Sequence, residues 1–113
     1  MRERKEILID LVKNNGDVFG LVQELAQYPW DAESSLYTIN AEDISKMLAR
    51  YSQSIIAAKT LEDWANAIEG RDDLGFEGEE IQEIISQIAN PVLFGHISKE
   101  KAETYKRQLR LLR

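Results

Sequence analysis

The chain contains no cysteine, a single histidine and two prolines, and its apolar segments are all short. Each shortage removes a class of function. Without cysteine there are no disulfides, thiolate zinc sites or cysteine nucleophiles, and a reducing cytoplasm is the natural setting. His96 alone cannot build a histidine-rich metal site; its place in "LFGHISKE" predicts a connecting loop. No serine occupies a G-x-S-x-G elbow, and no glycine-rich loop is suited to cradling phosphate. No segment reaches the roughly 18 apolar residues of a membrane span. The start, "MRERKEILIDLVKNNG", turns from basic to apolar as a leader does. Glu3, Glu6 and Asp10 interrupt it, however, so the expectation is a soluble, unprocessed chain with no membrane role.

Positive charge is also scarce outside one region. The 113 residues carry a net charge of −6: residues 1–98 hold 8 Lys/Arg against 18 Asp/Glu, and residues 99–113 hold 6 against 2. Residues 60–83 hold nine carboxylates and only Arg71 to oppose them. An acidic body repels phosphates, which disfavours nucleic acid as a partner, and attracts basic proteins.

The length suits one domain spanning 1–113, and helical periodicity recurs along it. Ile7, Leu8, Leu11 and Val12 share a face, and Asn14-Asn15-Gly16 supplies a stop. Asp17 is a candidate cap for a second segment with Val18, Leu21, Val22 and Leu25 on one side. That segment ends before Tyr28-Pro29-Trp30, because a residue preceding proline avoids helical backbone. Residues 31–40 show no helical period and read as a loop with one extended turn. Asn40 caps a helix lined by Ile44, Met47, Leu48 and Tyr51. Thr60, with Asp63 three residues on, approximates a capping box for Leu61, Trp64, Ala65 and Ile68, and Gly70 fits its C-terminal stop. Ile81, Ile84, Ile85 and Ile88 follow in register as far as Pro91. Ser98 caps a last helix whose inward face is Ala102, Tyr105, Leu109 and Leu112. The expectation is an all-α, compact single-domain bundle of about six short helices, with no alternating strand.

Among candidate sites, "IEGRDDLGFEGEE" at 68–80 is the densest, with six carboxylates and three glycines. It is not an EF-hand loop, which needs oxygen ligands at positions 1, 3 and 5, glycine at 6 and glutamate at 12. Started at Asp73, it places Gly75 at position 3 and Ile84 at position 12; started at Asp72, it places Leu74 at 3 and Glu77 at 6. A looser divalent-cation site through Asp72, Asp73 and Glu77 remains as an alternative, and with it a metal-dependent enzyme. Glu69 borders an apolar stripe and therefore needs a partner, with Arg71 the nearest and the basic last helix next. Trp64 falls at core spacing. Tyr28 and Trp30 flank a proline and are the best interface anchors, since exposed tyrosine and tryptophan dominate binding hot spots.

The run "LEDWANAIEGRDDLGFE", followed by "IANPVLFGHISKEKAE", resembles a group of small bacterial helical proteins. The matching positions are Trp64, Ala65, Asn66, Glu69, Arg71, Asp72, Asp73, Ala89, Asn90 and Pro91, within residues 60–105. The resemblance implies a small helical bacterial protein and assigns no chemistry to these positions. In size and acidity the chain is also similar to toxin-immunity proteins. The resulting expectation is a non-enzymatic, cytoplasmic binding module without cofactor or metal. Its docking face would comprise Tyr28, Trp30, Glu62, Asp63, Glu69, Asp72, Asp73 and Glu77, offered to a basic protein. A self-associating module or homodimer, with the basic last helix on a neighbour's acidic middle, is the structural alternative.

Overall fold

A computed structural model describes residues 2–29 and 34–112. Seven helices and one pair of short strands make up the described fold, in the order α1 (Arg4–Lys13), α2 (Val18–Leu25), β1 (Tyr37–Ile39), α3 (Ala41–Ser52), α4 (Ala58–Ile68), β2 (Leu74–Phe76), α5 (Glu79–Ala89), α6 (Pro91–Phe94) and α7 (Lys99–Leu111). The all-α bundle is there, with two additions to the expected six helices. One is the single turn of α6. The other is the parallel pairing of β1 with β2, Thr38 opposite Gly75. The pairing is extended at its ends by Leu36 N–H donating to Asp73 O and Glu77 N–H to Ile39 O. Strands of three residues carry too little alternation to register as a period. Gly75 makes the approach possible: a Cβ there would lie 2.9 Å from the Ser35 hydroxyl oxygen.

The stripes read from periodicity are the core. Ile7, Leu8, Leu11 and Val12 of α1 are buried, as are Ile44, Met47 and Leu48 of α3, Leu61, Trp64, Ala65 and Ile68 of α4, and the four isoleucines of α5. Helix α1 packs on α2, α3, α4 and β1; α4 packs on α5, and α3 on α7. Asp17 accepts a hydrogen bond from Gly20 N–H at the start of α2. Asn40 and Asp43 form a reciprocal capping box on α3, and Ser98 caps α7.

Two boundary expectations need correcting. Helix α4 begins at Ala58 with Ala57 as its cap residue. Thr60 is therefore already inside the first turn, and the Thr60–Asp63 capping box does not form; Asp63 pairs with Lys59 instead, at 3.2 Å. At the other end of the chain, Leu112 is not inward: it is 44 % exposed and Leu111 86 %. Beyond the buried Leu109, α7 outruns the surface it packs against.

The last carbonyls of α1 lack helical partners and lie in the core, where an unmade hydrogen bond is expensive. Asn14, in left-handed backbone, turns the chain so that its own N–H and that of Asn15 satisfy Leu11 O and Asp10 O. The fully buried Trp64 indole donates to Leu11 O at 2.9 Å and to Val12 O at 3.3 Å. Arg50 donates to Lys13 O at 3.1 Å. Trp64 thus fills core volume and closes the end of α1.

Trp64→Ala should lower the unfolding free energy by about 3–5 kcal/mol, the usual range for emptying an aromatic site. Trp64→Phe keeps most of the volume but removes the donor to Val12 O and leaves Leu11 O with the Asn14 N–H alone, for a loss of about 1–3 kcal/mol. Urea unfolding followed by far-UV circular dichroism measures both; a Phe variant as stable as wild type would show that the indole hydrogen bonds contribute nothing.

Candidate functional site

The acidic turn divides between the interior and the surface. Gly70, with φ of 77°, turns the chain out of α4. Asp72 then faces solvent, while the next residue, Asp73, is buried. The Asp73 carboxylate accepts from Arg71 Nε on Oδ1 at 2.9 Å and from Arg71 Nη2 on Oδ2 at 3.0 Å. Arg4 Nε, from α1, adds a bond to Oδ2 at 2.9 Å, and Arg4 also donates to Pro29 O. Burial by itself pushes the Asp73 carboxyl up. The hydrogen bonds and charges of Arg71 and then Arg4 outweigh it and hold the group below its usual value. Asp73 is therefore a buried clamp joining α1 to the turn, with Arg4 reaching on to the loop after α2, which corrects its expected place as an exposed docking carboxylate. Both Asp73 oxygens are engaged by arginine, which weighs against its grouping with Asp72 and Glu77 as cation ligands.

Glu69 is exposed and accepts from Asn90 Nδ2 at 2.9 Å. Its partner is thus the residue preceding Pro91, in place of the expected Arg71 or last helix; Arg71 is taken up by Asp73. Glu62 is largely withdrawn from solvent, accepts from Ile97 N–H at 3.1 Å and lies 3.1 Å from His96 Nδ1. It anchors the loop before α7, where His96 lies on a connecting segment as expected and is exposed. Tyr28 is half-buried: its hydroxyl donates to Arg2 O, and the Arg4 guanidinium lies over its ring at 5.9 Å. Trp30 lies outside the described residues.

These positions separate into three places. Tyr28, Glu69, Asp72 and Asp73 border a groove of about 500 Å³ between the end of α2 and the end of α4. Val22, Leu25, Ala26 and Ala67 give it apolar walls. Glu62 and Asp63 border a second hollow, of about 490 Å³, with Lys59, Pro91 and His96. Asn66, exposed on α4, borders both hollows. Glu77 belongs to neither and stands exposed just past β2. Sequence reasoning missed Asn66, Ala67 and the groove walls. Val22 and Leu25 were read as core, and nothing in their spacing shows that one edge of that core stays open.

Six carboxylates at the surface, those of Glu69, Asp72, Glu77, Glu79, Glu80 and Glu83, form no ion pair among the described residues. The basic last helix does not neutralise them: Lys106 pairs with Glu103 of its own helix, Lys99 donates to Tyr51 O and Ser52 O at the end of α3, and Lys101 to Phe94 O. A groove with apolar walls and anionic rim groups suits a cationic side chain with an aliphatic stem, or a basic segment with an apolar residue beside its charge. No family model, curated protein or solved structure matches the chain.

Because the folded-state value of Asp73 is depressed, its contribution to stability is complete above the unfolded value of about 3.9 and disappears as pH falls through the folded value. Asp73→Asn should therefore cost about 2–4 kcal/mol at neutral pH by leaving two guanidinium groups underpaired, and the gap from wild type should close in strong acid. Asp72→Asn, at an exposed position, should stay within about 0.5 kcal/mol. Denaturant titrations across pH test the pair; equal effects at the two positions would contradict the division of the turn.

Proposed function

We propose that this chain is a non-enzymatic binding module that docks a basic segment of a partner protein in the groove between α2 and α4. The observation that carries this reading is the groove's composition. Apolar walls from Val22, Leu25 and Ala67 meet Glu69 and Asp72, and the surface beyond, through Glu83, holds anionic groups that form no ion pair among the described residues. Unpaired surface carboxylates steer a cationic partner toward the site, which raises the association rate at low salt. The apolar walls and the Tyr28 ring supply the contact area that holds it. The same negative field disfavours nucleic acid. No helix among the described residues is long and apolar enough to cross a membrane, and the partner is taken to be a protein in the cytoplasm.

The most concrete form of this reading is an immunity protein that neutralises a toxin by covering its cationic surface. Its support is the acidic composition together with the resemblance of the 60–105 segment to small bacterial proteins. A role built on a bound metal loses ground because Asp73, the central carboxylate of the turn, is committed to Arg4 and Arg71.

The test is affinity capture from the native lysate, wild type beside Glu69→Gln/Asp72→Asn, at low salt and near 1 M, where the Debye length falls to about 3 Å. A basic protein held by wild type at low salt, released by salt and lost with the double variant is the expected result. The same proteins captured by both forms, or capture indifferent to salt, would overturn the electrostatic docking reading.

A further inference from the structure

The last turn of α7 brings exposed apolar and exposed cationic side chains together. Leu111 and Leu112 are exposed apolar side chains at the end of a helix whose other leucine, Leu109, is fully buried. Beside them, Arg107 and Arg110 are exposed and form no ion pair among the described residues. The segment is cationic and apolar at once. It has the chemistry that the groove between α2 and α4 would select, and that groove is lined with Leu25 and Ala67 and edged by Glu69 and Asp72.

Within one copy, α7 packs chiefly on α3, and the groove is built from α2, α4 and the turn that follows α4. The two features therefore stand on different elements of the same molecule. We infer that, when no other partner is bound, the groove of one copy receives the last turn of α7 from a second copy. Leu111 and Leu112 rest on the apolar walls, and Arg107 and Arg110 face Glu69 and Asp72. This inference rests on the docking reading of the groove and adds a regulation to it: self-association and partner binding compete for one surface. The contact is heterologous, patch to different patch. It either closes reciprocally in a dimer or runs on head to tail, and in both cases the mean mass rises with concentration.

Opposite charges on separate patches allow a charge-swap experiment that mere damage cannot imitate. One variant carries Arg107→Glu/Arg110→Glu, so that its groove and helix end are both acidic. The other carries Glu69→Lys/Asp72→Lys, so that both are basic. All four positions are exposed, and circular dichroism checks that each variant keeps its helices. Sedimentation equilibrium at low salt should show wild type associating as concentration rises, each variant alone losing that association, and their equimolar mixture regaining it. A wild type that stays monomeric throughout overturns the inference. So does association that survives in each variant alone, which would place the contact on another surface, such as the bare turn of Val92, Leu93 and Phe94. Failure of the mixture to reassociate overturns it as well. The arginine variant leaves the groove untouched, so its capture of a basic partner from lysate reports on the docking reading independently of the self-association result.

Discussion

The architecture depends on closing the end of a buried helix without water. Helix α1 has four core side chains at or near zero exposure and packs on α2, α3, α4 and β1. Its terminal carbonyls consequently finish inside the protein, where each needs a donor. The Asn14 turn provides backbone donors, Arg50 of α3 provides one, and the Trp64 indole of α4 provides the rest. One residue thereby fixes both the spacing and the rotation of α4 against α1. With α4 set, the turn at Gly70 and the strand pairing that follows it are directed to one end of the molecule.

That end is held by a second polar closure. Asp73 gathers Arg71 from its own turn and Arg4 from α1, and Arg4 reaches on to the carbonyl of Pro29. The groove exists because α1, the end of α2 and the end of α4 are tied at this point while the space between α2 and α4 is left unfilled. The carboxylates around it do different jobs. Asp73 and Glu62 hold the chain together, at the turn and at the loop before α7 respectively. Glu69 and Asp72 stand at the surface, with Glu69 lightly engaged by Asn90. The nominal charge of the segment therefore overstates what the surface presents, since Asp73 is offset internally and Glu62 is largely covered.

Two short additions show how tertiary contacts act on weak local signals. The β1–β2 pairing joins two three-residue segments with no periodic pattern of their own; a missing side chain at Gly75, which admits Ser35, makes the contact possible. The single turn of α6 forms because Asn90 and Pro91 suit a helix start, although none of its four side chains is buried. Its exposed valine, leucine and phenylalanine leave an apolar surface at the opposite end of α5 from the acidic turn.

The sequence by itself determined the fold class, the helical core and most of the caps. Those features rest on local spacing: three-and-four periodicity selects the buried face, and Asp17, Asn40 and Ser98 bond to amides only three residues away. Trp64 was legible as core for the same reason. The tertiary structure alone decided which carboxylate of the adjacent Asp72 and Asp73 turns inward, because Arg71 is next to both in the chain and the arginine that joins it on Asp73, Arg4, lies 69 positions away. It alone paired Glu69 with Asn90, left Leu111 and Leu112 uncovered, and opened the groove between α2 and α4. Periodicity states which face of a helix is apolar; whether that face is covered along its whole length depends on where its neighbours end, and no local pattern records that.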